Sequence, residues 1–173
     1  MSISVPEVNT LSEKEFVGRF GSVYEGSPHF ARRAYEARPF RDLNHLVQTF
    51  HGVMYAASEE ERWTLIVAHP DLAGKAAIAG ELTAESSGEQ ASAGLDRLSE
   101  EEYEAFTAIN RDYREKFGMP MIVCAREHDK ESILRTARQR LGNTPEEEVE
   151  TALEEISKIA ALRLADLVET EGR

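Results

Sequence analysis

Residues 144–167 read TPEEEVETALEEISKIAALRLADL, and their pattern is that of a long helix. It opens with Thr144-Pro145, a cap residue followed by proline, which is typical of a helix N-terminus. Apolar residues then recur every three to four positions, as they do on one face of an α-helix. The stretch therefore predicts a long amphipathic helix whose early glutamates complement the helix dipole and aid solubility.

Similar helix signals recur along the rest of the chain. A capping box pairs a serine with a glutamate three residues later, and this spacing occurs at Ser12/Glu15, Ser58/Glu61, Ser86/Glu89 and Ser99/Glu102. Ser27-Pro28 adds another cap followed by proline. Strand evidence is confined to Met121 to Cys124, which has no partner strand. We expect an all-α, single-domain bundle of about seven to eight helices over 1–173, with its core in residues 10–168.

Composition excludes several classes of function. The 173 residues carry a formal net charge of -12, so the chain repels nucleic-acid phosphates and anionic membranes. The single cysteine, Cys124, excludes an intrachain disulfide, and its apolar neighbours favour a buried, inert thiol. Met1 to Thr10 lacks the pattern of a signal peptide, and no apolar run approaches the roughly 20 residues of a membrane span. We therefore expect a cytoplasmic protein.

The strongest candidate for chemistry is His69-Pro70-Asp71, which ends an apolar helix and enters the least helical stretch, residues 70–84. Pro70 cannot continue a helix and moves the preceding residue out of the α region, so the imidazole projects at a chain turn. A histidine near a helix C-terminus suits proton donation near neutral pH. The simpler interpretation is a histidine that closes the last helical turn, and spacing alone favours it.

A second candidate is the helix start at Ser86-Ser87-Gly88-Glu89-Gln90. Ser86 and Glu89 have a structural explanation as a capping box, which the spacing favours. Free N–H groups at a helix N-terminus also make a seat for an anionic substrate. Both roles hold at once if the helix start forms one wall of a pocket.

Arg163 lies on the apolar face of the final helix, between Ile159 and Leu167. A charge at a core-facing position is costly unless it meets an anionic or hydrogen-bonding partner. One interpretation is an internal ion pair with Asp71 or Glu89. The other is donation to a carboxylate or carbonyl group of a substrate.

Two further interpretations stay open on the residues alone. His69, Asp71 and Glu89 are potential metal ligands of a hydrolase, although no His-x-x-x-His or Cys-x-x-Cys spacing supports a metal site. The acidic final helix and the amphipathic stripes also fit a catalytically silent module that binds a partner protein. Nucleotide-binding glycine motifs and the Gly-x-Ser-x-Gly elbow are absent, which disfavours nucleotide and serine-nucleophile chemistry.

Several motifs in combination resemble one family. They are His69-Pro70-Asp71-Leu72-Ala73-Gly74-Lys75, Ser86-x-x-Glu89-Gln90-x-x-Ala93-Gly94-Leu95, Asn110-x-x-Tyr113-x-x-Lys116-Phe117-Gly118-x-Pro120, Ile122-x-Cys124-Ala125-Arg126 and Lys158-Ile159-Ala160-x-Leu162-Arg163-Leu164. Together they resemble the 2-oxo-4-hydroxy-4-carboxy-5-ureidoimidazoline (OHCU) decarboxylases over nearly the whole chain. The family often has aromatic residues where this chain has His29, Met119 and Met121, and these departures concern packing or pocket walls.

The resemblance implies an all-helical homodimer that converts OHCU to (S)-allantoin in urate breakdown, with no cofactor and no metal. It implies that His69 is the catalytic histidine and Glu89 the catalytic acid. The substrate pocket that it implies is lined by Pro70, Ser86, Gln90, Arg163 and the backbone around Ile122.

Overall fold

The computed structural model describes residues 1–170, except for the side chains of Lys75 and Ala76. Its helices are α1 (Val5–Thr10), α2 (Glu13–Phe20), α3 (His29–Tyr35), α4 (Leu43–Tyr55), α5 (Glu59–Ala68), α6 (Lys75–Ile78), α7 (Ala84–Ser92), α8 (Glu100–Phe117), α9 (Lys130–Arg140) and α10 (Pro145–Leu167), with a 3-10 turn at Ala125–Glu127. The β pairing in the described residues is an isolated bridge between Ile3 and Val168. The predicted all-α class is confirmed, and the helices that the patterns did not indicate, α1 and α6, are short.

Local capping explains where several helices begin. Ser12 and Ser99 each accept a hydrogen bond from the N–H three residues later, and the glutamate at that position bonds back to the serine N–H. Ser58 makes the same exchange with the glutamate three residues later at the start of α5. These predicted capping boxes are confirmed because each depends only on residues within one helical turn.

The start of α3 differs from the prediction. Pro28 is itself the N-cap residue, and no side chain caps this helix. The Ser27 hydroxyl donates to the Glu25 carbonyl at 3.2 Å instead. The predicted cap at Ser27-Pro28 is therefore wrong, because the serine bonds to the preceding turn of the chain.

The longest helices are α10, with 23 residues, and α8, with 18. Gly118 ends α8 in the left-handed region with φ of 67°, as expected for a residue without a Cβ. In the described part of the chain, neither these helices nor any other combines the length and the apolar content that a membrane crossing needs.

Contacts between Cα positions divide the chain into two compact units, Met1–Leu65 with Ser157–Arg173, and Ile66–Ile156. The predicted single domain over 1–173 stays a prediction. The first unit has an aromatic core in which Phe16, Phe20 and Phe50 are fully buried, with ring centroids 4.7 to 6.3 Å apart. Rings at these distances add to the stabilisation that burial gives.

A loop of the first unit is fastened to this core by one asparagine. Asn9 lies near the end of α1, and its Nδ2 donates to the Phe40 carbonyl at 2.8 Å. The Phe40 N–H donates back to Asn9 Oδ1 at 2.7 Å. Both ends of the amide are therefore used, and the loop is held beside the core without a strand partner.

The second unit is built on the interior face of α8. Phe106, Ile109, Asn110, Tyr113 and Phe117 are buried along this face. Their spacing of three and four residues is that of one helix side. Burial raises the pKa of the Tyr113 phenol above its ordinary value. Asn110 is the polar amide in this row of buried side chains.

Candidate active site

The candidate histidine lies directly after α5, with 8% of its surface exposed. The His69 N–H still donates to the Ile66 carbonyl at 3.2 Å, so the chain makes one last tight turn. Pro70 then ends the helix because it has no N–H to continue the ladder. The predicted position at a chain turn is confirmed, and the imidazole belongs to a buried residue.

The loop after this histidine is bonded to side chains of α7 and α8. Gln90 uses both ends of its amide, because Nε2 donates to the Asp71 carbonyl at 3.2 Å and Oε1 accepts from the Ala73 N–H at 3.0 Å. Asn110 donates through Nδ2 to the Leu72 carbonyl at 2.9 Å. Three consecutive loop residues are thus held by side chains, which supply the partners that backbone groups need when regular structure does not.

The same loop has a demanding backbone geometry. Ala73 has φ of 52°, in the left-handed region that costs a residue with a Cβ about 1–2 kcal/mol. At Gly74 an added Cβ would lie 2.9 Å from Cβ of Asp71, so the turn leaves no room for a side chain. Strain of this kind persists where surrounding contacts fix the backbone, as Gln90 does at the Ala73 N–H.

The helix that carries Glu89 begins earlier than predicted. Thr83 is the N-cap of α7, and its hydroxyl accepts from the Ser86 N–H at 3.2 Å. The predicted capping box of Ser86 and Glu89 is therefore wrong, because Thr83 takes the cap position three residues earlier. Ser86 and Gln90 are buried, and Glu89 is half-buried. Residues spaced by three and four share a helix side, so α7 presents all three together.

Two cavities border the loop within the second unit. The first has a volume of about 360 Å³, and its walls include Pro70, Asp71, Gly74, Asn110 and Arg114. The second has a volume of about 490 Å³, and its walls include Gln90, Ile78, Leu82, Leu95 and Leu98. Both volumes are in the range of small-molecule sites. Of the predicted pocket residues, Pro70 lines the first cavity and Gln90 lines the second.

Asp71, the acid of the His-Pro-Asp motif, is paired with Arg114 of α8 at 3.2 Å, and both side chains are partly exposed. Such pairs contribute about 0–1 kcal/mol to stability. Among the described residues, no three His, Cys, Asp or Glu side chains are grouped where they could hold a metal ion. The interpretation of His69, Asp71 and Glu89 as a metal site therefore has no support in the geometry.

The segment around Ile122 is buried and lies outside the helices, and charged side chains bond to its backbone. Its carbonyl accepts from Nη1 of Arg140 at 2.6 Å, and the Cys124 N–H donates to Glu155 at 3.3 Å. Arg140 also pairs with the fully buried Glu148 at 2.5 Å. Breaking a buried pair from one side costs about 3–5 kcal/mol, so this network holds the segment firmly.

Arg163 belongs to the first unit and is 4% exposed. Its Nη1 donates to the Glu25 carboxylate at 2.9 Å and to the Ser22 carbonyl at 3.0 Å. One interpretation was an internal ion pair with Asp71 or Glu89, and the ion pair seen is with Glu25, a partner that the sequence had not indicated. Asp71, one of the two partners considered, pairs with Arg114 instead.

Comparison with known proteins identifies the family. The family model described as OHCU decarboxylase matches residues 9–165. The chain is 41% identical over 166 residues to the 2-oxo-4-hydroxy-4-carboxy-5-ureidoimidazoline decarboxylase of Amia calva, covering 94% of this chain and 93% of that one. It is 38% identical over 165 residues to the enzyme of the same name from Halalkalicoccus jeotgali, covering 95% and 92%. The chain belongs to the OHCU decarboxylase family.

A solved structure shares the fold of this family member. The crystal structure of (S)-allantoin synthase matches with a TM-score of 0.78 at 24% identity, covering 96% of this chain and 54% of that one. The chain therefore spans about half the length of that protein. OHCU decarboxylases are carboxy-lyases, so membership of the family makes this chain an enzyme of that class.

Sequence reasoning gave no site role to two residues that bond to the backbone of the candidate site, Asn110, which was quoted only within a family motif, and Arg140. A polar residue in an apolar stripe was an available signal for Asn110, and the same signal had singled out Arg163. Arg140 gave no such signal, because a basic residue in the last turn of a helix is explained by the helix dipole.

Proposed function

We propose that this chain decarboxylates OHCU to (S)-allantoin in urate breakdown, with His69 and Glu89 as the residues that move protons. Family membership and the names of the relatives support the substrate and product. One observation carries the choice of residues. The Asp71 carbonyl, two residues after His69, lies 3.2 Å from Nε2 of Gln90, the residue after Glu89. The segments of the proposed acid–base pair are therefore directly bonded to each other.

The substrate supplies its own electron sink. Its carboxylate is on the ring carbon next to a C=N bond. When the bond to carbon dioxide breaks, its electron pair forms a ring C=C bond, and the imine nitrogen takes up a proton. The resulting enol loses its hydroxyl proton while the neighbouring carbon gains one, which gives allantoin. The protein's tasks are then to orient the substrate, to desolvate the carboxylate and to manage protons, and no cofactor is needed.

His69 is the general acid/base near the hydroxyl group and the reacting carbon. A buried imidazole at a chain turn suits this role, because histidine is the side chain that exchanges protons near neutral pH and the turn fixes where its side chain begins. Glu89 accepts or relays the hydroxyl proton, or orients His69. Protonation from one side of the ring accounts for allantoin of a single hand.

The remaining motif residues bind substrate in this proposal. Ser86 and Gln90, which share a helix side with the proposed acid, bind the carbonyl groups and the ureido group. Gln90 still has one N–H and one lone pair beyond its two loop bonds. Pro70 and the backbone around Ile122 contribute pocket wall. The substrate contact expected of Arg163 stays a prediction, because in the first unit its Nη1 donates to Glu25 and to the Ser22 carbonyl.

The test supplies freshly generated intermediate to wild type and to His69→Ala, and follows rate and handedness together by circular dichroism. His128→Ala is the matched control, since His128 bonds to Ser132 at the start of α9. Wild type and His128→Ala are expected to give (S)-allantoin, with His69→Ala slower by about 10²–10⁴-fold or more. Racemic allantoin at the uncatalysed rate from both wild type and His69→Ala would show that the proposal is wrong.

The homodimer that the family resemblance implies is part of this proposal. Analytical ultracentrifugation of the same protein measures it.

A catalytically silent partner-binding module is the rival function, and it predicts a well-folded protein that leaves the decay of the intermediate unchanged. The rate measurement above therefore separates the two.

A further inference from the structure

Asn110 is a buried amide on an otherwise apolar side of α8. Its neighbours along that side are Phe106, Ile109 and Tyr113, and all are buried. Asn110 itself is 9% exposed. An amide in such surroundings has lost its water, so each of its ends needs a partner from the protein.

One end of the Asn110 amide has such a partner and the other does not. Nδ2 donates to the Leu72 carbonyl at 2.9 Å. Oδ1 is buried and has no hydrogen-bond partner among the described residues. A leucine has nearly the same shape and would leave no oxygen unpartnered. What asparagine gains at this position over leucine is therefore its single bond to the loop.

That bond completes a row of three along the loop. Gln90 holds the Asp71 carbonyl and the Ala73 N–H, and Asn110 holds the Leu72 carbonyl between them. The loop backbone is thus fixed from α7 and from α8 at successive residues. Pro70 carries this constraint back to the preceding residue, because its ring fixes φ and restricts the residue before it.

We propose that Asn110 is a positioning residue for His69, and this inference rests on the proposed function. By holding the Leu72 carbonyl, it keeps the loop in the register that aims the imidazole at the reacting carbon. Its contribution is to geometry, because the unpartnered oxygen offsets what its one bond adds to folding. A displacement of about 1 Å in a catalytic group lowers the rate by about 10²-fold.

The first experiment compares wild type with Asn110→Leu, using freshly generated intermediate and thermal unfolding of the same samples. We expect kcat to fall by about 10- to 100-fold, because the loop and the imidazole lose their register. KM is expected to change by less than about threefold, since the substrate-binding side chains remain. The product is expected to lose part of its handedness by circular dichroism, whereas Tm stays within about 4 °C of wild type.

Asn110→Asp decides the matter if the leucine variant does not fold. A protonated carboxyl group can donate to the Leu72 carbonyl and an ionised one cannot. Burial and the facing carbonyl raise the pKa of the new carboxyl, and Asp71, Arg114 and Tyr103 are the titratable groups that line the adjoining cavity. We expect kcat of Asn110→Asp, relative to wild type, to rise as pH is lowered.

Asn9→Leu is the matched control, because it removes an amide that holds a loop of the first unit. It is expected to lower Tm and to leave kcat and product handedness unchanged. A folded Asn110→Leu with wild-type kcat and single-handed product would overturn the inference, as would an Asn110→Asp profile parallel to that of wild type. If wild type itself fails to accelerate the reaction, the proposed function fails first and the inference with it.

Discussion

Each compact unit has a loop that begins at a proline and is held by side-chain amides. The first loop follows Arg38-Pro39 and the second follows His69-Pro70. In the first unit, Asn9 pairs with Phe40 at both ends of its amide, at 2.8 and 2.7 Å. In the second unit, Gln90 and Asn110 hold residues 71–73, and the Asn110 oxygen has no partner among the described residues. In the first loop both ends of the asparagine amide are hydrogen-bonded, whereas in the second loop only the Nδ2 end of Asn110 is.

The surroundings of the two loops differ more than the bonds do. Phe40 is buried and stacks on Phe16, with ring centroids 6.0 Å apart, so the first loop adds apolar burial to a core. The second loop has Ala73 in the left-handed region and borders two cavities. Folding stability explains the first arrangement fully. The second costs stability, and strain held in place by neighbours is typical of functional sites.

The largest expected effect comes from breaking the second loop at Gln90. Gln90→Ala removes two loop bonds and a proposed substrate contact, so kcat/KM should fall by about 10²-fold or more. Steady-state kinetics and thermal unfolding on the same samples measure it. Gln139→Ala, on an exposed position of α9, is the control and should change neither quantity. Wild-type kinetics in Gln90→Ala would remove the functional contrast between the loops.

The reverse pattern is expected when the first loop is broken. Asn9→Ala removes both bonds to Phe40, and each such bond contributes about 0.5–1.5 kcal/mol. The free energy of unfolding should therefore fall by about 1–3 kcal/mol, as measured by denaturant titration. The kcat of the folded variant should equal that of wild type. A large loss of kcat here would mean that this loop is not purely structural.

Features that depend on neighbours in sequence were predictable. The caps at Ser12, Ser58 and Ser99 and the helix end at Gly118 follow from residues within one turn, and all were found. The turn at His69 was predictable for the same reason, because proline acts on its immediate neighbours. Even so, a local pattern fails where another residue takes the cap position, as Thr83 does at the start of α7.

Features that depend on distant residues were not predictable. Arg163 was recognised as a charge in need of a partner, but Glu25 lies 138 residues away in sequence. Asn110 bonds to the carbonyl of Leu72, 38 residues away in sequence, and the spacing of apolar residues does not predict such a bond. The motif residues of the candidate site were found through family resemblance. Gln90 and Asn110 were among those motif residues, but the bonds by which they hold the loop backbone had to be found in the structure.

A smaller effect separates the loops by backbone strain. Ala73→Gly removes the strain of the left-handed conformation, about 1–2 kcal/mol. This gain offsets the free energy lost with the methyl group and with the greater freedom of glycine in the unfolded chain. Ala34→Gly, in α3, has no strain to relieve and should cost about 1–2 kcal/mol more. Denaturant titration of both variants measures the difference. Equal costs would show that Ala73 is not strained.

The smallest expected effect tests whether pH acts on the two units separately. Hydrogen bonding from Arg33 lowers the pKa of the Glu61 carboxyl, in the first unit, from 4.5 to about 2. Because the folded-state pKa lies below the unfolded value, the contribution of this contact is present above about pH 4.5 and is lost as pH falls through about 2. Carbon-detected NMR should show this midpoint, and Arg33→Gln should move it upward towards 4.5. The contact is then intact throughout the range in which a histidine titrates, so a change of activity between pH 5 and 8 has its origin elsewhere. A Glu61 midpoint near 4.5 in wild type would contradict the prediction, since the contact with Arg33 would then begin to weaken just below pH 5.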